Sequence, residues 1–314
     1  MTQRRQFLSS SAAAILSGIS FPALRLPGET AWLAQKPPPS AGEEDFWNWV
    51  HHAFTVSPNI INLNNGGVCP QPKVVQEALE TYNRLSSEGP SYYMWRILDK
   101  GREPLRERLA AQAGVSPEEI AINRNASESL ETIIFGLDLK AGDEVVVNKY
   151  DYPNMLNAWK QRQMREGIRL VYAETDIVST DDEALAHAYI SKFTSRTRVV
   201  HITHVINWNG QVLPVRRIAE AARDRGIRVL VDGAHAFAHL NHKVSDLLCD
   251  FWGTSLHKWL CAPIGSGMMY IRKELIPEVW PLLAPPEPRS GDIRKFEALG
   301  TRSFPIEQAI GHAL

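Results

Sequence analysis

From about residue 45 the chain predicts an α/β protein of three layers, with a mostly parallel central sheet between helices. Two observations carry this. Short apolar runs alternate with stretches of helical period between residues 120 and 231, and several helical stretches close on a glycine. The runs are apolar at nearly every position, as expected of strands buried on both faces of a parallel sheet.

Residues 1–40 stand apart. Arg4 and Arg5 precede Phe7, Leu8 and a mildly apolar stretch, 12–24, too short to span a bilayer. The pattern resembles a twin-arginine export signal, and residues 1–40 are expected to be that signal and a linker ending in Lys36-Pro37-Pro38-Pro39. The expectation is an exported, periplasmic protein, free of the membrane once the signal is removed; the alternative is a basic tail on a cytoplasmic one.

The elements then follow in order. Pro70-Gln71-Pro72 introduces an amphipathic helix over 74–85, and a second covers 103–113 before Gly114. Strands are predicted at 120–123, 144–148, 168–173, 198–205 and 228–231. Helices are predicted between them at 127–137, 153–166, 181–193 and 215–225, and two shorter strands at 250–253 and 267–271. Residues 284–291 are a proline-rich loop, followed by a helix from 306 to 314. We expect a large domain with an N-terminal arm over 41–283. Residues 284–314 are expected to begin the connection to a truncated C-terminal domain, because the chain stops inside an apolar helical pattern.

Composition narrows the function. Thirty-four Lys and Arg stand against thirty-five Asp and Glu, a net charge of −1, so nothing in the bulk charge draws the chain to nucleic acid or an anionic membrane. Three separated cysteines, Cys69, Cys249 and Cys261, supply neither a disulfide framework nor a four-thiolate zinc site.

Asp232 ends the apolar run Val229-Leu230-Val231, and Lys258 follows another short strand. In sheets of this kind functional groups gather at the carboxyl ends of strands. Pyridoxal 5′-phosphate chemistry needs a lysine to form the Schiff base and an acid facing the pyridine nitrogen, roles that Lys258 and Asp232 fit.

Asp232-Gly233-Ala234-His235, the run Asp250-Phe251-Trp252-Gly253-Thr254-Ser255-Leu256-His257-Lys258-Trp259 and the closing Ala262-Pro263-Ile264-Gly265-Ser266-Gly267 resemble the class V aminotransferases. These are pyridoxal-phosphate enzymes of fold type I, and the resemblance is greatest to the isopenicillin N epimerase-like branch. It implies Lys258 and Asp232 as catalytic residues and His235 beside the ring oxygen. Ser255 and His257 are implied at the phosphate, as are Ala126 and Ser127 in Arg124-Asn125-Ala126-Ser127-Glu128 at a helix start. Tyr152 falls where the family places an aromatic ring or histidine over the cofactor, and Asn207 where it donates to the ring oxygen. Asn65 and Gly66 match the opening segment near the substrate, with Trp95 a further candidate there. Thr301, after Gly300, matches a residue that reaches the phosphate in the partner subunit, so a homodimer is expected.

The implied activity is epimerisation or transamination at the α-carbon of an amino acid or derivative, with a cysteine desulfurase or C–S lyase reaction as the alternative. Two readings of other classes compete. A metal-dependent hydrolase would use Asp232, His235, His239 and His242, with His235 and His239 on one helix face. A non-catalytic binding protein on the same fold is the other. The metal reading gives Lys258, Asn207, Tyr152 and Ser127 no shared purpose. The cluster Tyr92-Tyr93-Met94-Trp95 is expected to be core and interface.

Overall fold

Apolar runs dictate the sheet. The computed structural model describes residues 42–314 and places seven strands in one sheet: β1 (Ile120–Asn123), β2 (Glu144–Asn148), β3 (Arg169–Ala173), β4 (Thr197–Thr203), β5 (Arg228–Asp232), β6 (Phe251–Ser255) and β7 (Gly267–Ile271). Their order is β1-β7-β6-β5-β4-β2-β3. Strand β7 runs antiparallel to both neighbours, and every other pairing is parallel.

Alternate residues of each strand enter opposite cores, because successive side chains of a strand leave opposite faces. Ile122, Val146, Val200, Val229, Val231 and Trp252 face one side. There they meet Leu105 and Leu109 of α3 (Arg102–Ala113), Leu185 and Tyr189 of α6 (Asp182–Ile190) and Ile218 and Ala222 of α7 (Val215–Arg223). Ala121, Val145, Val147, Val199, Leu230 and Phe251 face the other, against Ile133 of α4 (Ala126–Gly136) and Trp159 of α5 (Pro153–Glu166). The three expected layers are present. Gly114 and Gly167 close α3 and α5 in the left-handed region, at φ 72° and 74°.

Three further α-helices of more than one turn are α1 (Glu43–His52), α2 (Lys73–Glu88) and α8 (Phe304–Ile310). Helix α1 was not anticipated. Residues 284–291 form a loop, and beyond it Ile293 and Phe296 join the second core. The expected core part of the Tyr92–Trp95 cluster is limited to half-buried Tyr93 and Met94: Tyr92, just before a wide helical turn at Tyr93–Ile97, and Trp95, within it, are 55% and 54% exposed. Residues 1–40 and the export signal lie outside the described residues. Among the described residues no helix is long and apolar enough to cross a membrane.

A buried ion pair fastens the sheet edge. Fully buried Arg106 donates to both Glu297 carboxylate oxygens, at 2.5 and 3.0 Å, and to the Ile120 carbonyl at 2.6 Å. Glu297 also accepts the Ile122 N–H at 2.7 Å. Helix α3, strand β1 and the segment after the proline-rich loop are thus joined by one charged network, in which Arg102 also meets Glu297 at 3.2 Å and Glu103 also meets Arg106 at 3.1 Å. Arg106→Ala is expected to cost about 3 kcal/mol of unfolding free energy, because it removes the main partner of a buried carboxylate and leaves it only Arg102 and the Ile122 N–H. Denaturant titration measures this, and a loss under about 1 kcal/mol would show the pair is not structural.

Candidate active site

Strands β2, β4, β5 and β6 run parallel, and β1 runs the same way across the antiparallel β7, so Asn123, Asn148, Thr203, Asp232 and Ser255, the last residues of five strands, reach one end of the sheet. A cleft of about 440 Å³ opens there, within the ordinary range for small-molecule sites.

Asp232 is 4% exposed, and its Oδ1 accepts the Ala234 N–H at 2.9 Å. The chain can turn behind it because residue 233 is glycine: a Cβ would lie 2.1 Å from the buried Trp252 indole. Burial raises the Asp232 carboxyl above its ordinary value, although the Ala234 N–H and the Lys258 charge pull the other way. Burial also lowers the Lys258 amine, with Asp232 opposing. Burial therefore pushes both groups towards neutrality, and each opposes that shift in the other.

The Lys258 Nζ lies 3.1 Å from His235 Nε2. On the other side of that ring the Trp259 indole donates to Nδ1 at 3.4 Å, which places the neutral ring's proton on Nε2, facing the amine. Burial, more than the Lys258 charge, pushes His235 down to about 4, so the ring is neutral at physiological pH.

The opposite end of the cleft is built for an anion. Helix α4 starts after Asn125, whose side chain accepts the Glu128 N–H at 2.8 Å; the Ala126 N–H donates to Ser255 Oγ at 2.9 Å. Ser127 lines the cleft at this positive helix end. His257 donates from Nδ1 to the Ser266 carbonyl at 3.1 Å, which leaves Nε2 as its other polar atom. Strand β7 approaches α4 so closely that a Cβ at Gly267 would lie 2.5 Å from the Asn125 backbone nitrogen. Glycine there sets the position of the cradle.

Gly66, Ala126, Ser127, Tyr152, Asn207, Asp232, His235, Ser255, His257 and Lys258 all line this cleft. Three predicted residues do not. Asn64 and Gly67 line it where Asn65 does not: Asn65 is turned along its own loop, its side chain accepting from Asn62 at 2.7 Å. Trp95 stands on the exposed turn, outside the cleft lining. Thr301 lines a separate cavity of about 310 Å³ with Arg102, Glu297 and Arg302.

The histidine cluster is also corrected. Residues 233–240 form turns rather than a helix, with Ala238 at φ 60°, and the histidines diverge. His239 stacks on Trp259 and His242 meets His204 edge-on. Among the described residues no three His, Cys, Asp or Glu side chains form a metal-holding group.

Sequence reasoning passed over Asp151 and Thr203. Buried Asp151 accepts the Asn148 N–H and the Thr203 hydroxyl, each at 2.7 Å. Burial pushes its carboxyl up to about 7, with Asp232 adding to the rise. Its only sequence signal is its place beside Tyr152.

Comparison with known proteins shows the family and the fold. The family model described as aminotransferase class-V matches residues 61–295. The isopenicillin N epimerase of Streptomyces clavuligerus is 28% identical over 82% of this chain and 69% of its own length. A probable cysteine desulfurase of Halobacterium salinarum is 30% identical over 72% of this chain, which spans 55% of that relative. Among solved structures, a lysine-to-alanine mutant of C-DES, with glycine covalently linked to its PLP cofactor, superposes with a TM-score of 0.75. It is 24% identical and the match covers 84% of this chain and 72% of that one, a likeness of fold.

Gly267→Ala is expected to lose about 1–3 kcal/mol of stability, because the new methyl must displace backbone rather than a side-chain tip. Calorimetry, with and without a phosphate-bearing ligand, should show both lower stability and weaker stabilisation by that ligand. Unchanged values would show that the cradle tolerates a side chain at 267.

Proposed function

The chain belongs to the class-V aminotransferase family, and from that premise we propose that it is a pyridoxal 5′-phosphate-dependent enzyme. It acts at the α-carbon of an amino acid or amino-acid derivative, by epimerisation or transamination. One observation carries the reading: a single cleft holds a buried carboxylate, a lysine with a depressed amine and an anion cradle at a helix start.

The donor set fits the cofactor. Ala126, Ser127, Ser255 and His257 would hold the phosphate, and Asp232 would face the pyridine nitrogen. His235 and Asn207 would meet the ring oxygen, Tyr152 would cover the ring, and Lys258 is the attachment point. When bound, the cofactor supplies an electron sink for the bonds of the α-carbon.

The residues of the chain do the rest. Burial makes the Lys258 amine more available as a free base near neutral pH, so that it can take the α-proton. Asp232 favours a positive charge at the nitrogen it faces. The His235 Nε2–H, fixed by Trp259, is a donor for an oxyanion. Thr301 is separate from the cleft of its own chain, which supports the reading that it serves the cleft of a second copy in a homodimer.

Hydrogen exchange at the α-carbon tests the assignment. A panel of amino acids in deuterated water, followed by NMR and chiral analysis, should reveal at least one whose α-proton exchanges. Lys258→Ala should abolish exchange, and Asp232→Asn should keep the cofactor while slowing exchange by about 10²–10³-fold. Exchange that survives Lys258→Ala would contradict Lys258 as the base. Cysteine belongs in the panel because a probable cysteine desulfurase is among the relatives; sulfide release from it would identify C–S cleavage instead.

A further inference from the structure

Two thiols meet where the N-terminal arm passes the lysine turn. Cys69 ends the glycine turn of the arm. Its N–H donates to the His257 carbonyl at 3.0 Å and its thiol to the Asn65 carbonyl at 3.2 Å. Cys261 closes the lysine turn, its N–H donating to the Lys258 carbonyl at 2.9 Å. The two cysteines therefore hang from the consecutive carbonyls of His257 and Lys258; the Cys261 thiol turns to the Trp259 carbonyl at 3.8 Å, and the two thiols lie close enough to influence each other's ionisation. Cys69 is buried and Cys261 half-buried, while Cys249 lies apart in the core against the sheet. Cys261 is held at φ 58°, a left-handed conformation unfavourable for any residue with a Cβ.

The arm is a wall of the cleft. Gly66 and Gly67 line it, and a Cβ at Gly66 would sit 3.1 Å from His235 Cε1 and 3.6 Å from Trp259. We propose that Cys69 and Cys261 form a reversible disulfide that fastens this wall to the Lys258 turn and restricts entry to the cleft.

The oxidant is a small-molecule disulfide such as oxidised glutathione. The more exposed Cys261, as thiolate, attacks one sulfur, forming a mixed disulfide and expelling one glutathione thiolate. Cys69 then displaces the second glutathione. The two protein thiols lose two electrons to the reagent, and their protons pass to the two thiolates released. Burial pushes Cys69 up to about 12 and raises Cys261 as well, so the thiolates are scarce at neutral pH and closure accelerates as pH rises.

The test treats the cofactor-loaded full chain with oxidised glutathione at mildly alkaline pH, followed by peptide mapping without reductant. The expected product is a Cys69–Cys261 crosslink that dithiothreitol reverses, with the Cys249 thiol intact. Release of the cofactor by hydroxylamine should slow about tenfold or more in the crosslinked protein, as for a closed wall over a site. Cys69→Ser and Cys261→Ser should each abolish the slowing and Cys249→Ser should preserve it. A lasting glutathione adduct on Cys261 with Cys69 free, or a crosslink that leaves release unchanged, would overturn the proposal. The hydroxylamine arm rests on the pyridoxal-phosphate reading and the peptide map does not, so a colourless protein would fail the first while the map still decides the crosslink.

Discussion

The cleft depends on a carboxylate held where burial opposes its charge. Asp232 sits at the end of a central strand, 4% exposed, with one backbone N–H and the Lys258 charge set against desolvation. An apolar residue there would avoid the desolvation cost, which falls on polar groups and most heavily on charged ones. The pairing makes chemical sense when a cationic ring is brought to the carboxylate. It also explains the depressed amine of Lys258, because the same dry environment acts on both.

The sheet supplies that environment and the aim of the groups. Strands β4, β5 and β6 are adjacent and parallel, so Thr203 ends opposite Asp232 and Ser255 ends two residues past Gly253, the β6 partner of Asp232, although a helix separates the first pair in sequence and a stretch of turns the second. Close backbone approaches then fix the two ends of the cleft. Gly233 passes beneath the Trp252 indole, and Gly267 lets β7 touch the start of α4. The Arg106–Glu297 pair secures β1, which carries the chain into the anion cradle.

Much of this was legible in the sequence because local signals agreed with the fold. Residues 144–148, 153–166 and 267–271 were delimited as they occur, by glycine, proline and unbroken apolar runs. The direction of β7 was not legible, since a strand buried on both faces reads the same either way. Asp151 and Thr203 were missed because their contact requires β2 to lie beside β4, with β3 at the edge, a fact of sheet order. The supposed histidine face failed on backbone conformation: Ala238 enters the left-handed region and breaks the helical period on which it relied. Asn65 shows the same limit on a smaller scale, because a one-residue difference in a turn decides which asparagine faces the cleft.

The most direct measurement is the visible spectrum of the purified chain before and after borohydride, with mass spectrometry of its peptides. A yellow band that borohydride bleaches is expected, with the added mass on Lys258 and no other lysine. A protein that stays colourless with added pyridoxal 5′-phosphate, or one labelled at a different lysine, would contradict Lys258 as the attachment point and the cleft as the cofactor site.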